Sequence, residues 1–147
     1  MSGLSARRRI QVMNRKLGWL KEAQGELKAA RDLLATKNYS WACFTAQQVG
    51  EKALKAVLLN LGKYSPTHNM VDLLKEIAAL SRVPPDVIKA GNTLNRYYIP
   101  TRVPDSFSSG APVDQYSEPD ATEAIDLAGI LYDFARSALG PPGTPSA

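Results

Sequence analysis

Hydrophobic residues recur at helical spacing in five stretches of this chain, and the stretch from Tyr39 to Leu61, YSWACFTAQQVGEKALKAVLLNL, organises the others. It holds no proline and one interior glycine, Gly50. At about 100° per residue, Ala42, Ala46, Val49, Gly50, Ala53, Ala56, Val57 and Leu61 share one broad arc, and most of them are small. That suits a central helix which its neighbours approach closely. The opposite arc mixes Gln48, Glu51, Lys52 and Lys55 with Trp41, Phe44 and Leu59. Large aromatics on a solvated face would leave substantial apolar area in water. Two interfaces are therefore expected, one to the chain's own core and one, through Trp41, Phe44, Gln48, Lys55 and Leu59, to another helix or subunit.

The flanking patterns are also helical. A first helix is expected from about Ile10 or Asn14 to Thr36, with Trp19, Ala23, Leu27, Ala30 and Leu34 inward and Lys16, Lys21, Lys28 and Arg31 outward. Residues 1–9 read as a mobile basic arm. Lys37-Asn38 makes a tight turn into the central helix, and Gly62 with Pro66 ends it. Asn69 is a suitable N-cap for a third helix, Met70 to about Leu80, with Asp72 in its first turn. Pro84-Pro85-Asp86 starts a fourth, running to about Tyr97 with Val87, Ile88, Ala90 and Leu94 inward. A non-helical stretch, IPTRVPDSFSSGAPVDQY, follows from Ile99 to Tyr116. Loops longer than about 12–15 residues in a compact domain tend to be functional or disordered. Ser117 and Asp120 then have the form of a capping box for a last helix to about Leu139, whose buried face is Ala121, Ala124, Ala128, Leu131, Ala135 and Leu139. The tail, GPPGTPSA at 140–147, reads as disordered. No stretch reads as a strand. The expected fold is all-α: an antiparallel four- to five-helix up-and-down bundle in one domain, residues 1–139.

Composition narrows this further. A chain of 147 residues fits one domain with a core of its own. Charge is uneven: residues 1–60 carry eleven Lys/Arg against four Asp/Glu, and residues 61–147 carry seven against ten. The basic half could face an anionic partner such as nucleic acid or nucleotide. The single cysteine, Cys43, precludes a disulfide within the chain and fits a reducing cytoplasm, where it reads as a small buried hydrophobe. No apolar run approaches the roughly 20 residues of a membrane span, so a soluble cytoplasmic protein is expected.

Few residues suggest chemistry. There is no Gly-rich phosphate loop, no Cys/His metal spacing and only one histidine, so no cofactor or metal is expected. His68 stands at the start of the third helix, where its ring could meet a backbone group or a ligand. Arg96, Tyr97, Tyr98, Arg102 and Asp105 gather cations and aromatics within ten residues. Aromatic faces with Arg forks suit base stacking and phosphate pairing. The candidate ligand site is accordingly His68, Tyr97, Tyr98, Arg102 and Asp105, with Lys52. The competing structural roles are a capping His68, loop-anchoring tyrosines and an Arg102–Asp105 pair.

Four blocks, NYSWACFTAQQVGEKALKAVLL, PTHNMVDLL, LNRYYIPTRVPD and YSEPDATEAI, occur in an order that resembles the HEPN domain family. The resemblance covers about Lys16 to Arg136. It implies a bundle of four to five helices, usually a homodimer, similar to the helical C-terminal domain of kanamycin nucleotidyltransferase. Many small HEPN proteins act with a minimal nucleotidyltransferase partner, in several cases as toxin and antitoxin. The family also includes metal-independent ribonucleases, marked by an Arg followed four to six residues later by a His. This sequence departs from that mark. No Arg lies within six residues before His68, and Arg96 is followed by Tyr97-Tyr98-Ile99-Pro100-Thr101-Arg102. The expectation is a binding module for a nucleotide or RNA that works with such a partner. The alternative is a divergent ribonuclease built on His68 with Arg96 or Arg102.

Overall fold

The computed structural model describes residues 5–97 and 116–140. Within them the chain forms five α-helices and no strand: α1 (Ala6–Ala35), α2 (Tyr39–Asn60), α3 (Met70–Ala78), α4 (Pro85–Leu94) and α5 (Glu118–Leu139), with a single 3₁₀ turn, Asn95–Tyr97, after α4. Several ends follow local chemistry. Asn69 accepts hydrogen bonds from the Val71 and Asp72 amides at 2.8 and 3.3 Å and so caps α3. The Ser117 amide and hydroxyl both donate to the Asp120 carboxylate at 2.9 Å, which fixes the start of α5. Gly62, at φ 83°, turns the chain out of α2, and the Lys63 amide bonds back to Leu58 at 2.8 Å.

α1 starts earlier than its hydrophobic pattern indicates. Ser5 accepts from the Arg8 amide at 3.2 Å, so Arg7, Arg8 and Arg9, expected in an arm, lie in the first turns of the helix. A polar first turn carries no apolar period, which is why the pattern misses it.

α2 is the centre of the molecule. Fourteen of its residues are buried, including Leu54 and Leu58, which the small-residue arc omitted. At roughly 1.5–3 kcal/mol for each large apolar side chain removed from water, this helix anchors the fold. A Cβ at Gly50 would stand 2.7 Å from Met70 Sδ, 2.8 Å from Leu131 Cδ1 and 2.9 Å from Leu94 Cδ2. α3, α4 and α5 therefore all meet α2 at a place where no side chain fits.

The up-and-down arrangement holds only in part. α1 and α2 are antiparallel: a short turn joins them at residues 36–38, and Lys16, in the first half of α1, donates to Asn60 at the end of α2 at 2.8 Å. α5 runs in the same direction as α2: Asn60 donates to the Ala138 carbonyl at 3.3 Å, while Asp120 and Glu123 lie close enough to Cys43 to raise its pKa. The short α3 and α4 and the turn after them return the chain to the level at which α2 began, where Tyr97 meets Tyr116 and Glu123.

Exposure corrects four further readings. Lys16, expected outward, is buried and its ammonium pKa is lowered by that burial. Glu51, placed on the mixed arc, is 4% exposed. Ile88, expected inward, is 37% exposed. Leu59, expected at a second interface, is packed within the chain. In each case the neighbouring helix, rather than the residue type, decides which arc is covered. The expected inward face of α5 is buried throughout.

Candidate functional site

Two clusters position the residues singled out from the sequence. The first is centred on Glu51. After the Gly62 turn the chain runs back along α2, so that His68, immediately before the α3 cap, lies over the middle of the central helix. There His68 Nδ1 hydrogen-bonds the Glu51 carboxylate. The same carboxylate oxygen takes Lys55 Nζ at 3.3 Å, and Lys55 stands 5.7 Å from the centre of the Trp19 ring. The Glu51 side chain is 6% exposed and that of His68 is 60% exposed. A buried carboxylate thus holds one nitrogen of an imidazole whose body faces solvent. The contact fixes the orientation of the ring.

The start of α3 is tied to the end of α4, because Asn95 Oδ1 accepts from the Met70 amide at 2.9 Å. Arg96, the next residue, is exposed. His68 and Arg96, twenty-eight positions apart in sequence, therefore belong to segments that meet at one junction.

The second cluster joins the end of the 3₁₀ turn to α5. Tyr97 is 8% exposed and its hydroxyl donates to Glu123 at 3.2 Å. Its ring lies 5.5 Å from that of Tyr116, tilted by 50°. Burial raises the Tyr97 phenol, with Glu123 adding to the shift. Tyr116 is pushed up to about 12 by burial, then by Cys43 and Asp120. The two rings anchor both ends of the intervening segment to the bundle. Cys43 is fully buried and its thiol is pushed up to about 12 by burial, then by Asp120 and Glu123, which leaves it neutral and unsuited to nucleophilic attack.

Lys52 is engaged within the chain, between Glu26 and Glu22 of α1, the latter at 3.3 Å. Burial alone would lower its pKa, but the hydrogen bonds and charges of Glu26 and then Glu22 outweigh that and raise it. Gln48 donates to Gln47 at 3.1 Å. Trp41 meets Phe44 edge-on with ring centres 6.0 Å apart, and Trp41 is 56% exposed. Tyr98, Arg102 and Asp105 lie outside the described residues. Glu51 is the residue that sequence reasoning missed; its i, i+4 spacing to Lys55, below Trp19, was the available signal. Among the described residues no group of three or more His, Cys, Asp or Glu side chains could hold a metal, and no helix is long and apolar enough to cross a membrane.

The sequence model of the HEPN domain family matches residues 17–138. Three solved structures share the fold. TT1696 of Thermus thermophilus is 39% identical with a TM-score of 0.79, over 83% of this chain and 96% of that one. The archaeal HEPN homologue ST0689 is 32% identical with a TM-score of 0.73, over 86% and 98%. An HEPN domain protein of Thermotoga maritima is 27% identical with a TM-score of 0.64, over 80% and 93%. A protein of Methanocaldococcus jannaschii named as a candidate toxin is 23% identical over 135 residues, 83% of this chain and 89% of its own length.

Proposed function

The chain belongs to the HEPN domain family, and on that footing we propose that it is a homodimeric helical module that binds a nucleotide or an RNA end and acts with a minimal nucleotidyltransferase as one half of a toxin–antitoxin pair. The observation that carries the module reading is Trp41. It is the single exposed residue of α2, the most deeply packed helix of the fold. An indole left in water on such an element suits an interface, where tryptophan is enriched among the residues that matter most. Phe44 beside it, with Gln48 and Lys55 further along the same side, extends this surface. The candidate-toxin relative supports the pairing with a second protein.

The ligand site of this reading is His68, with Arg96 at the same junction and Tyr98, Arg102 and Asp105 following it. Lys52 and Tyr97, expected in the same site, are engaged elsewhere in the bundle, with Glu22 and Glu26 and with Glu123 respectively. Calorimetric titration with ATP, GTP and a short RNA, at low and moderate salt, tests it. Saturable binding that an Arg102→Ala/Tyr98→Ala variant loses is the expected result. Absence of binding to all three would remove the ligand and leave a module acting through protein contacts alone.

The His68–Glu51 contact favours a second reading, a divergent ribonuclease. In this reading the carboxylate orients the imidazole, which moves a proton while Arg96 or Arg102 steadies phosphate charge. Cleavage of RNA by highly purified protein that persists in His68→Ala would eliminate this mechanism.

A further inference from the structure

α1 and α5 leave a groove between them. Two contiguous hollows of about 800 and 630 Å³ make it up, sharing Lys21, Gln24, Tyr132 and Asp133. Its floor is apolar, formed by Leu17, Leu20 and Leu27 with the largely buried Tyr132. Its walls carry Lys21, Lys28 and Arg31 from α1 and Arg136 from α5, against Asp133. All four cations are exposed, and none of them enters an ion pair among the described residues. The acidic residues Glu22 and Glu26 of α1 are turned to Lys52 instead.

The groove also leaves room for a close approach at Gly25, which is as open as Gly18 and Gly129. Gly25 lines the groove in the interior of α1, and a Cβ built on it meets nothing within 4 Å. Glycine in a helix interior costs roughly 1 kcal/mol relative to alanine. No neighbour within the chain requires it, in contrast to Gly50. A backbone approaching α1 from outside could use the room it leaves.

We propose that this groove docks an acidic amphipathic helix of a protein partner. From Leu17 to Arg31 the floor spans about 21 Å at 1.5 Å per residue, the length of a helix of roughly four turns. Such a helix would lay its apolar stripe on the leucines, pass its backbone over Gly25 and set carboxylates against the four cations. A nucleic acid fits less well: Tyr132 is too deeply buried to offer a stacking face, and no other aromatic ring lines the groove among the described residues. This inference rests on the reading of the chain as a partner-binding module. Its test needs neither nucleotide nor nucleotidyltransferase, so it can fail while that reading stands.

The test is fluorescence anisotropy of the full chain with a labelled 16-residue helical peptide carrying leucines on one face and glutamates on its flanks. A scrambled peptide of equal composition and a labelled oligouridine serve as comparisons. Saturable binding of the amphipathic peptide is expected, weakened at least tenfold by Lys28→Glu/Arg31→Glu and by Gly25→Leu, and unchanged by Lys75→Glu on α3. Gly25→Leu keeps every charge and faces open space, so it retains the fold, which circular dichroism verifies. Equal binding of the scrambled peptide, binding of oligouridine alone, or indifference to Gly25→Leu would each overturn the proposal.

Discussion

His68 Nδ1 is hydrogen-bonded to the carboxylate of Glu51, seventeen residues earlier on the central helix, and Lys55 shares the same oxygen. The Lys55 side chain is 11% exposed, so removing Glu51 strands a largely buried ammonium. Glu51→Ala is expected to cost about 3 kcal/mol. His68→Ala, at an exposed ring, should cost no more than about 1 kcal/mol. Glu51→Leu/Lys55→Met should recover most of the loss. Urea unfolding of the three variants checks this, and a double variant no more stable than Glu51→Ala would contradict the coupling.

Gly50 and Gly18 should respond to alanine with opposite signs. At Gly50 the new methyl meets side chains of three helices at once, all of them fully buried, and a loss of about 1–3 kcal/mol is expected. At Gly18 nothing lies within 4 Å, so the same change should gain up to about 1 kcal/mol from helix propensity. Thermal midpoints of the two variants, compared with the parent, give the answer directly.

Stability should fall in alkali. Cys43 is raised from 9.0 to about 12, Tyr116 from 10.0 to about 12, and Tyr97 is raised as well. In each case the folded chain holds its proton more tightly than the unfolded one. The contribution is fully present below about pH 9 and is lost as pH climbs toward 12. Lys16, whose pKa is lowered, acts in the opposite direction but alone. The thermal midpoint is expected to drop between pH 9 and 11, less so in a Cys43→Ala/Tyr116→Phe variant. A midpoint that rises over that range would refute the assignment. Cys43 should also resist alkylation at pH 8 until the chain is unfolded.

Trp41 supplies the test of assembly. If its exposed indole lies in a homodimer, Trp41→Arg should yield a monomer in light scattering while the helical signal remains. Arginine at an apolar contact centre leaves an unpaired charge there, which costs more than the lost area. A dimer that survives the change would move the interface elsewhere.

What could be read from sequence was local. Asn69, the Ser117–Asp120 pair, Gly62 and the inward face of α5 each depend on a few neighbouring residues, and all four are where the pattern puts them. Glu51, Leu59 and Ile88 depend on which arc a neighbouring helix covers, which hydrophobic period alone does not specify. The direction of α5 is of the same kind: its residues fix a helix and a face, while its polarity depends on where α3, α4 and the turn to Tyr97 leave the chain. The candidate site was legible as His68 and the Arg96–Tyr97 segment, but the carboxylate that orients the imidazole was not. Glu51 looks like any solvated glutamate until the loop after α2 folds back over it.

The shared direction of α2 and α5 bears on how the protein is made. α1 and α2 are neighbours in sequence and can pair as soon as both have left the ribosome. The patch of α2 around Gly50 has to wait for Leu131, on the last helix. At roughly 5–20 residues per second, the stretch of about 80 residues between the end of α2 and the end of α5 occupies about 4–16 s of translation. Throughout that interval the central helix of a growing chain carries an uncovered apolar flank, available to a chaperone or to another nascent copy. Newly made chains, rather than finished ones, are where aggregation of this protein should concentrate.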